Sequence, residues 1–267
     1  MAHGGADPQT AAALARLYDV DLVEDPGDLG LYLALAARTG GPIIELAAGT
    51  GRISVPLASG GHTVTAVDID PATLERARSA TARESAATTA RLELIEADLV
   101  DLRHPRGGEF RLAILALNSL LLLGTRAAQR AAIETMARLL APGGLAVVDV
   151  WQPDADDLAR FDGRLVLEYL RTDPETGLEV AKSAAAWHDA ATGSVVLASI
   201  YDEGEPGRSP RRWTRIDRLR LVAADELTAF AQDAGLTIET LAGDYELNGI
   251  GPRSERSILI AVRSPAA

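Results

Sequence analysis

Apolar residues follow a helical period at the start of the chain. Ala11 to Tyr18 and Leu29 to Ala37 each repeat apolar residues three and four positions apart. The turn residues Asp25 to Asp28 separate the two stretches, and Gly40-Gly41 closes the second. This pattern predicts two short helices that precede the first strand.

From Pro42 the pattern changes to short apolar runs, separated by stretches long enough for crossover helices. The runs predict five buried strands: Ile43 to Ala47, Thr63 to Val67, Leu92 to Ile95, Leu112 to Leu117 and Leu145 to Val150. Helix signals lie between them, because Asp70 precedes Pro71 and Thr125 opens a stretch that stops at Ala141 to Gly144. This order predicts a doubly wound, Rossmann-like α/β sheet.

After Trp151 the alternating stretches become longer and are joined by turn residues. Asp173 to Gly177 and Ala190 to Gly193 have turn composition. The stretches between them predict three or four antiparallel strands: Leu165 to Thr172, Leu178 to His188, Ser194 to Tyr201 and Trp213 to Leu221. We expect this antiparallel β insertion to cover one end of the fold.

The last part of the chain returns to the main sheet. Asp225 to Ala234 predicts a helix that ends at Gly235, and two strands follow, Leu236 to Leu241 and Ser257 to Val262. The sheet is therefore expected to be mixed and seven-stranded. We divide the chain into an N-terminal helical cap (1–41), a Rossmann-like core (42–152 and 222–267) and the antiparallel insertion (153–221).

Composition narrows the function further. The 267 residues are 47% hydrophobic and include no cysteine, so we expect a core that needs no disulfide, metal or thiol chemistry. The N-terminus MAHGGADPQT lacks the features of a signal peptide, and no apolar run reaches membrane-spanning length. We therefore expect a soluble, cytoplasmic protein without a membrane partner.

The charge balance argues against a nucleic-acid partner. The formal net charge is -12, whereas binding to a phosphate backbone depends on clustered lysine and arginine. The main basic cluster runs from Arg208 to Arg220 and is interrupted by Asp217. Two interpretations stay open for it: a solvated strand face, or a binding site for an anionic substrate group.

The most informative segment is Glu45 to Arg52, ELAAGTGR, between the first buried strand and a helix. Its two glycines allow a sharp turn and a close approach of the backbone to a ligand. A dinucleotide-binding loop would carry a third glycine where this chain has Ser54. Glu45 also places a carboxylate at the strand end, which favours a cationic ligand over a pyrophosphate.

Two further acids follow the next strands. Asp68 ends the second strand, where a carboxylate can accept both hydroxyl groups of a ribose, and Asp70 is better explained as a helix cap. Asp98 follows the third strand and suits the exocyclic amine of adenine. Three acids at three successive strand ends indicate one binding edge.

Together these motifs resemble the class I S-adenosylmethionine-dependent methyltransferases, from about Tyr18 to Val262. The resemblance rests on E-x-x-x-G-x-G in Glu45 to Gly51, on the two strand-end aspartates, and on the P-G-G turn at Pro142 to Gly144. It implies S-adenosyl-L-methionine as cofactor and methyl transfer to nitrogen or oxygen of a small-molecule metabolite or natural-product intermediate. The antiparallel insertion with its exposed edges would also suit a homodimer.

Within that family, Leu17 to Asp19, Leu31-Tyr32 and Asn118 to Leu120 resemble glycine/sarcosine and amino-sugar N-methyltransferases. An N-terminal tyrosine closes over the cofactor in those enzymes, which implies Tyr18; packing on a helix face is the alternative. Tyr32 is expected in the core. The full set of residues implied to bind the cofactor is Tyr18, Glu45, Ala47, Gly49, Gly51, Arg52, Asp68, Ile69, Asp98, Leu99 and Leu117.

The acceptor side is less defined by sequence. Methyl transfer from a sulfonium needs alignment and exclusion of water, and a dedicated base is not obligatory. Asn118 and His188 are the candidate catalytic residues, although the position of His188 at a hairpin end favours a surface histidine over a base. The candidate substrate contacts are Trp151, Gln152, Tyr201 and Trp213.

Two other functions remain as alternatives. An NAD(P)-dependent oxidoreductase is disfavoured by Ser54 and Glu45 and by the lack of a recognisable hydride-transfer pair. A catalytically inactive cofactor-binding protein is compatible with the three acids, because they concern binding and say nothing about turnover.

Overall fold

A computed structural model describes residues 7–24 and 26–264 of the chain. Asp25 of the expected turn, the N-terminal residues 1–6 that bear on the signal-peptide prediction, and residues 265–267 lie outside the described residues. Two helices come first, as the periodicity predicted: α1 spans Pro8–Asp21 and α2 spans Leu29–Thr39. Asp7 caps α1, because its carboxylate accepts hydrogen bonds from the Gln9 and Thr10 amides at 3.0 and 3.1 Å.

Eleven strands and seven further helices follow in the described residues. The strands are β1 Ile43–Leu46, β2 Val64–Asp68, β3 Leu92–Glu96, β4 Phe110–Leu115, β5 Leu140–Trp151, β6 Val166–Thr172, β7 Glu179–Asp189, β8 Ser194–Gly204, β9 Arg211–Arg220, β10 Leu236–Ala242 and β11 Arg256–Arg263. The helices are α3 Ser54–Ser59, α4 Pro71–Thr81, α5 Ala86–Thr89, α6 Ser119–Leu122, α7 Arg126–Leu139, α8 Ala155–Arg160 and α9 Ala224–Asp233.

Seven strands form the main sheet, in the order β10-β11-β5-β4-β1-β2-β3. Strands β1 to β5 run parallel, and β11 joins β5 and β10 antiparallel. Helices cover both faces of the sheet, so β1 is buried along its whole length. This burial explains why the parallel strands have apolar sequences. The expected Rossmann-like mixed sheet is confirmed.

The remaining strands form a second sheet, β6-β7-β8-β9, inserted after β5. All its pairs are antiparallel, so the insertion has four strands, the upper of the two expected numbers. The division of the chain into cap, core and insertion stays a prediction. No helix in the described ranges is both long and apolar enough to cross a membrane.

Helix capping follows the local signals, with one difference at α7. Asp70 caps α4 by accepting from the Ala72 amide at 2.9 Å, and Thr125 caps α7 by accepting from the Ala128 amide at 3.2 Å. Helix α7 ends at Leu139, and β5 already begins at Leu140, so the predicted turn residues Pro142 to Gly144 lie within the span of β5. The register with β4 shifts at this point, because Phe110 pairs with Leu140 and Leu112 with Leu145, so Ala141 to Gly144 form an irregularity inside the span of β5.

Candidate cofactor site

The loop after β1 turns at the carboxyl edge of the sheet. Gly49 and Gly51 have φ of +56° and +85°, a left-handed conformation that glycine adopts without strain. A Cβ at Gly51 would lie 3.2 Å from Val55 Cγ2 and 3.3 Å from Ala77 Cβ. Gly51 therefore lets the loop pack directly on α3 and α4, which is a reason for this glycine that the sequence motif did not reveal.

Glu45 is buried at the end of β1, with 3% of its surface exposed. The Ser54 hydroxyl donates a hydrogen bond to its Oε2. Burial raises the pKa of the Glu45 carboxyl to about 8, against the lowering effects of Ser54 and the Arg52 guanidinium. Without a cationic ligand this carboxyl is mainly neutral at pH 7, and a ligand ammonium beside it would favour the ionised form.

Arg52 is held beneath the site by a buried ion pair. Its two terminal nitrogens donate to the two carboxylate oxygens of Asp28, each at 2.6 Å, and Asp28 is fully buried at the start of α2. Bidentate pairing of this kind fixes the orientation of both groups. Because Asp28 occupies both terminal nitrogens, Arg52 lies beside the predicted cofactor residues with its charge already compensated.

Asp68 ends β2 in a fixed orientation. Its Oδ2 accepts from the Gly49 amide at 2.8 Å and its Oδ1 accepts from the Asp70 amide at 2.9 Å. Each carboxylate oxygen can accept a second hydrogen bond. The two amides thus orient a carboxylate that still has the capacity to bind two hydroxyl groups.

Two cavities adjoin at this edge of the sheet. The outer cavity, of about 200 Å³, is lined by five predicted residues: Ala47, Asp68, Ile69, Asp98 and Leu99. The inner cavity, of about 20 Å³, is lined by five predicted residues, of which Ala47 is shared: Tyr18, Glu45, Ala47, Arg52 and Leu117. Other residues that line the two cavities were not predicted from the sequence; they include Thr50, Ile53, Ala116, Ser119, Leu122, Leu123 and Ala128. Ser119 lines both cavities, and its proximity to Asn118 in sequence was the available signal.

Backbone strain is concentrated at the same edge. Ala47, Leu117 and Asn118 have positive φ of 55°, 43° and 64°. Such conformations cost non-glycine residues on the order of 1 to 3 kcal/mol each and cluster at binding and catalytic sites. This strain supports assignment of the two cavities as the functional site.

Helix α1 brings Tyr18 over the glycine loop. Tyr18 Cε1 lies 3.8 Å from the position that a Cβ on Gly49 would take. Burial raises the pKa of the Tyr18 hydroxyl to about 12, against the lowering effect of Arg52 and Arg215. Tyr18 therefore stays protonated at neutral pH and forms a wall of the inner cavity.

The insertion holds α1 in this position through Asp21. The Asp21 carboxylate accepts hydrogen bonds from the hydroxyls of Tyr169 at 2.6 Å and Tyr201 at 2.8 Å, and Lys182 Nζ lies 3.0 Å away. Burial, followed by the Asp21 charge, raises the pKa of the Tyr201 hydroxyl. Tyr201, predicted to contact substrate, thus has its hydroxyl engaged in docking α1.

Trp213 has a similar structural attachment. It is buried in a cluster with Leu17 of α1, and its indole N–H donates to the Glu203 carboxylate at 3.0 Å. Arg16 of α1 donates to the same carboxylate. Substrate contact by Tyr201 and Trp213 stays a prediction, since their polar atoms are directed to α1 and Glu203.

Asn118, Trp151 and Gln152 connect the main sheet to neighbouring segments. Asn118 Oδ1 accepts from the Trp151 amide at 2.6 Å and from Arg256 Nη2 at 3.2 Å, whereas Gln152 Nε2 donates to the Val222 carbonyl at 2.7 Å. These hydrogen bonds of Asn118 and Gln152 stabilise the strand ends next to the cavities. Their predicted roles in catalysis and substrate binding remain untested.

His188 lies near the end of β7, apart from the residues that line the two cavities. Its backbone amide donates to the Phe161 carbonyl at 3.2 Å, and the register pairs it with Val195. The structure does not bring His188 together with Glu45 and Tyr18 in one cavity. Its role as a base stays a prediction.

Comparison with known proteins places the site in context. Residues 43–144 match the family model described as a methyltransferase domain. No curated protein matches the sequence at a significant level.

Solved structures share the architecture over nearly the whole chain. The CcbJ methyltransferase from Streptomyces caelestis is 23% identical, covers 90% of this chain and 96% of its own, and gives a TM-score of 0.77. The sugar N-methyltransferase KedS8 from Streptoalloteichus sp ATCC 53650 is 21% identical, with 93% of each chain covered and a TM-score of 0.70. SAM bound CalS10, an amino pentose methyltransferase from Micromonospora echinaspora, is 18% identical, covers 93% of this chain and 97% of its own, and gives a TM-score of 0.69.

The matched methyltransferase domain contains the β1 loop and the strand ends that carry Glu45, Asp68 and Asp98. The buried Glu45 carboxyl fits the ammonium group of S-adenosyl-L-methionine, and the oriented Asp68 carboxylate fits its ribose. The glycine turn allows the backbone to approach the same ligand closely. Accordingly, residues 43–144 match a methyltransferase domain, and the chain shares its fold with solved S-adenosylmethionine-dependent methyltransferases.

Proposed function

We propose that the protein methylates a nitrogen or oxygen atom of a small polar molecule, a metabolite or natural-product intermediate, with an amine as the favoured acceptor. The observation that carries this proposal is the covering of the inner cavity by α1: Tyr18 of α1 lies over the loop beside Glu45, and the inserted sheet packs on α1. A macromolecular acceptor needs an open surface at the cofactor edge. The net charge of -12 further disfavours a nucleic-acid acceptor.

The structural neighbours support a nitrogen acceptor. KedS8 is a sugar N-methyltransferase and CalS10 an amino pentose methyltransferase. An uncharged amine is itself a nucleophile, so it needs alignment and loss of a proton after attack, with no obligatory protein base. This agrees with the position of His188 outside the two cavities.

The residues of the site would act mainly by binding, orientation and exclusion of water. S-adenosyl-L-methionine, when bound, supplies an electrophilic methyl group on a sulfonium. Asp68 and Asp98 would hold the nucleoside part in the outer cavity, and Glu45 would hold the ammonium beside the inner cavity. Tyr18 would close the site against water from the side of α1.

Calorimetry with S-adenosylmethionine and S-adenosylhomocysteine, with NAD and NADP as controls, tests the cofactor half of the proposal. Micromolar binding of the first pair is expected, with no response to the nicotinamide nucleotides. Incubation of S-adenosylmethionine with amino sugars, amino acids and their O-linked analogues, followed by mass spectrometry, tests the acceptor half. Transfer to a small amine is expected; transfer to protein or nucleic acid alone would refute the small-molecule acceptor.

The two candidate catalytic residues can be tested in the same assay. His188→Ala should leave turnover within about threefold if the acceptor amine needs no protein base. Asn118→Ala removes the carbonyl that holds the Trp151 amide and Arg256, so a lower turnover is expected. A loss of at least 100-fold in the His188 variant, with unchanged cofactor affinity, would instead establish His188 as the base.

A further inference from the structure

Strand β9 packs on two helices that border the inner cavity. One end of β9 packs on α1 through the buried Trp213. The other end is joined to α6, because the Gln129 side-chain amide donates to the carbonyls of Leu120 at 3.1 Å and Arg220 at 2.8 Å. Helices α1 and α6 each contribute a wall residue to the inner cavity, so β9 is attached at its two ends to two helices that border this cavity.

The strand register decides which side chains of β9 face α1. Trp213, Arg215 and Asp217 lie two residues apart and therefore share one face of the sheet, the face that packs on α1. Ile216 lies on the opposite face and is 62% exposed. Arg215 is close enough to Tyr18 for its charge to lower the pKa of that hydroxyl against the larger effect of burial.

The Arg215 guanidinium is fixed on one side only. Its Nε lies 3.0 Å from Asp217 Oδ1 and 2.7 Å from Oδ2, and the two side chains are 23% and 18% exposed. Over residues 7–24 and 26–264, the guanidinium has no other hydrogen bond or ion pair. Its two terminal nitrogens thus present parallel N–H donors on a pre-oriented group, the arrangement that binds a carboxylate or phosphate bidentately.

Some arginines elsewhere in the chain join two acidic groups. Arg76, for example, donates its Nε to Asp19 at 2.6 Å and a terminal nitrogen to Glu175 at 2.9 Å. Within the described residues, Arg215 has one acidic partner, Asp217, and no second one. A second acidic group would therefore complete the coordination of Arg215.

The other arginines of this basic segment are engaged or face away. Arg212 and Arg220 are each bound bidentately by a carboxylate, and Arg211 stacks on the Trp213 ring at 3.9 Å. Arg218 is exposed on the outward face, two residues from Ile216. The interpretation of the segment as a solvated strand face therefore suits Arg211, Arg212 and Arg218. Arg220 is as buried as Arg215, but both of its terminal nitrogens are bound by Glu226, whereas those of Arg215 have no hydrogen bond in the described residues.

We propose that Arg215, oriented by Asp217, binds an anionic group of the methyl acceptor, a carboxylate or a phosphate. The inference rests on the proposed function, since the anion would extend from the same cleft in which the acceptor is methylated. It assigns the acceptor to the class of small molecules that carry an acidic group in addition to the methylated atom. Because the formal net charge of the protein is -12, a local cation such as Arg215 would favour the binding of an anionic substrate group.

Anion binding to the protein loaded with S-adenosylhomocysteine tests this assignment. Inorganic phosphate and acetate are titrated separately, with ³¹P and ¹³C line widths as the readout. The wild-type protein should bind at least one of them in the millimolar range, and the preferred anion distinguishes phosphate from carboxylate. Arg215→Met should weaken binding about tenfold or more, because it removes two charge-assisted hydrogen bonds.

Two further variants keep the result interpretable. Arg218→Met lies on the same strand but on the outward face, and it should bind the anion within about twofold of wild type. Arg215→Lys keeps the charge without the planar fork and should fall between wild type and Arg215→Met. Affinity for S-adenosylhomocysteine, measured for every variant, reports whether the fold and cofactor site are intact.

The outcomes separate the two proposals. Intact cofactor affinity with no anion binding by the wild type, or with equal binding by Arg215→Met, would overturn the role of Arg215 alone. Failure of the wild type to bind S-adenosylhomocysteine would instead contradict the cofactor site on which the proposed function depends. A weakening of equal size in Arg218→Met would indicate nonspecific charge attraction and would also overturn the assignment.

Discussion

Substitution of Glu45 by glutamine should remove a pH dependence of cofactor binding. The pKa of the Glu45 carboxyl is about 8 because the group is buried, so about 1% is ionised at pH 6 and about half at pH 8. If the cofactor ammonium binds the ionised form, the apparent Kd of S-adenosylhomocysteine for the wild type should fall roughly fiftyfold between pH 6 and pH 8. Glu45→Gln cannot ionise, so its Kd should be higher at pH 8 and nearly constant over this range.

Isothermal titration calorimetry at pH 6, 7 and 8 and at constant ionic strength measures this difference. Titration in two buffers of different ionisation enthalpy should also show release of about one proton on binding at pH 6. Glu134→Gln, a substitution of an exposed glutamate on α7, serves as the matched control and should keep the wild-type slope. An equal pH dependence in wild type and Glu45→Gln would refute the argument.

The same group should affect the stability of the cofactor-free protein. The folded-state pKa of about 8 exceeds the ordinary value of 4.5, so the stabilising contribution is complete below about pH 4.5 and is lost as pH rises through 8. The shift corresponds to roughly 4 to 5 kcal/mol over that range. Urea denaturation at pH 5 and pH 8 should therefore show a loss of stability in the wild type that Glu45→Gln lacks; parallel losses would contradict this sign.

Three other substitutions give separate tests. Asp28→Ala leaves the Arg52 charge without its buried partner and should lower the free energy of unfolding in urea by about 3 to 5 kcal/mol. Arg38→Ala, which removes an exposed ion pair, should lower it by about 1 kcal/mol or less. Similar losses in the two variants would refute the distinction between the buried and the exposed pair. Gly51→Ala adds a Cβ 3.2 Å from a neighbouring methyl at positive φ, so the melting temperature should fall by several degrees, and an unchanged value would refute the crowding. Asp68→Ala should weaken S-adenosylhomocysteine binding by about 1 to 3 kcal/mol in calorimetry, and unchanged affinity would exclude the ribose contact.

Local sequence patterns were sufficient for the elements and for much of the cofactor edge. Apolar runs and caps such as Asp70 and Thr125 act over a few residues, so they predict strands and helix starts without knowledge of the fold. Parallel strands end at one edge, which is why Glu45, Asp68 and Asp98 could be placed together from their positions after three strands. The outer and inner cavities contain most of the residues predicted in this way.

The tertiary structure decided the contacts between residues far apart in sequence. Asp21 is joined to Tyr169 and Tyr201 across 148 and 180 positions, and no local pattern relates them. Their hydrogen bonds place α1, and with it Tyr18, over the glycine loop, a result that depends on how the insertion folds back.

The same holds for the direction of individual polar groups. The sequence placed Arg215 in a basic cluster, but only the register of β9 distinguishes its inward face from that of Arg218. Likewise, Asn118 follows β4 as expected, yet its amide oxygen is bound by the Trp151 amide and by Arg256, which pairing of β11 with β5 brings near. Periodicity and motif spacing thus determined which elements form and which edge holds the predicted cofactor residues, whereas packing between distant segments determined which of the side chains near this edge are already engaged within the protein.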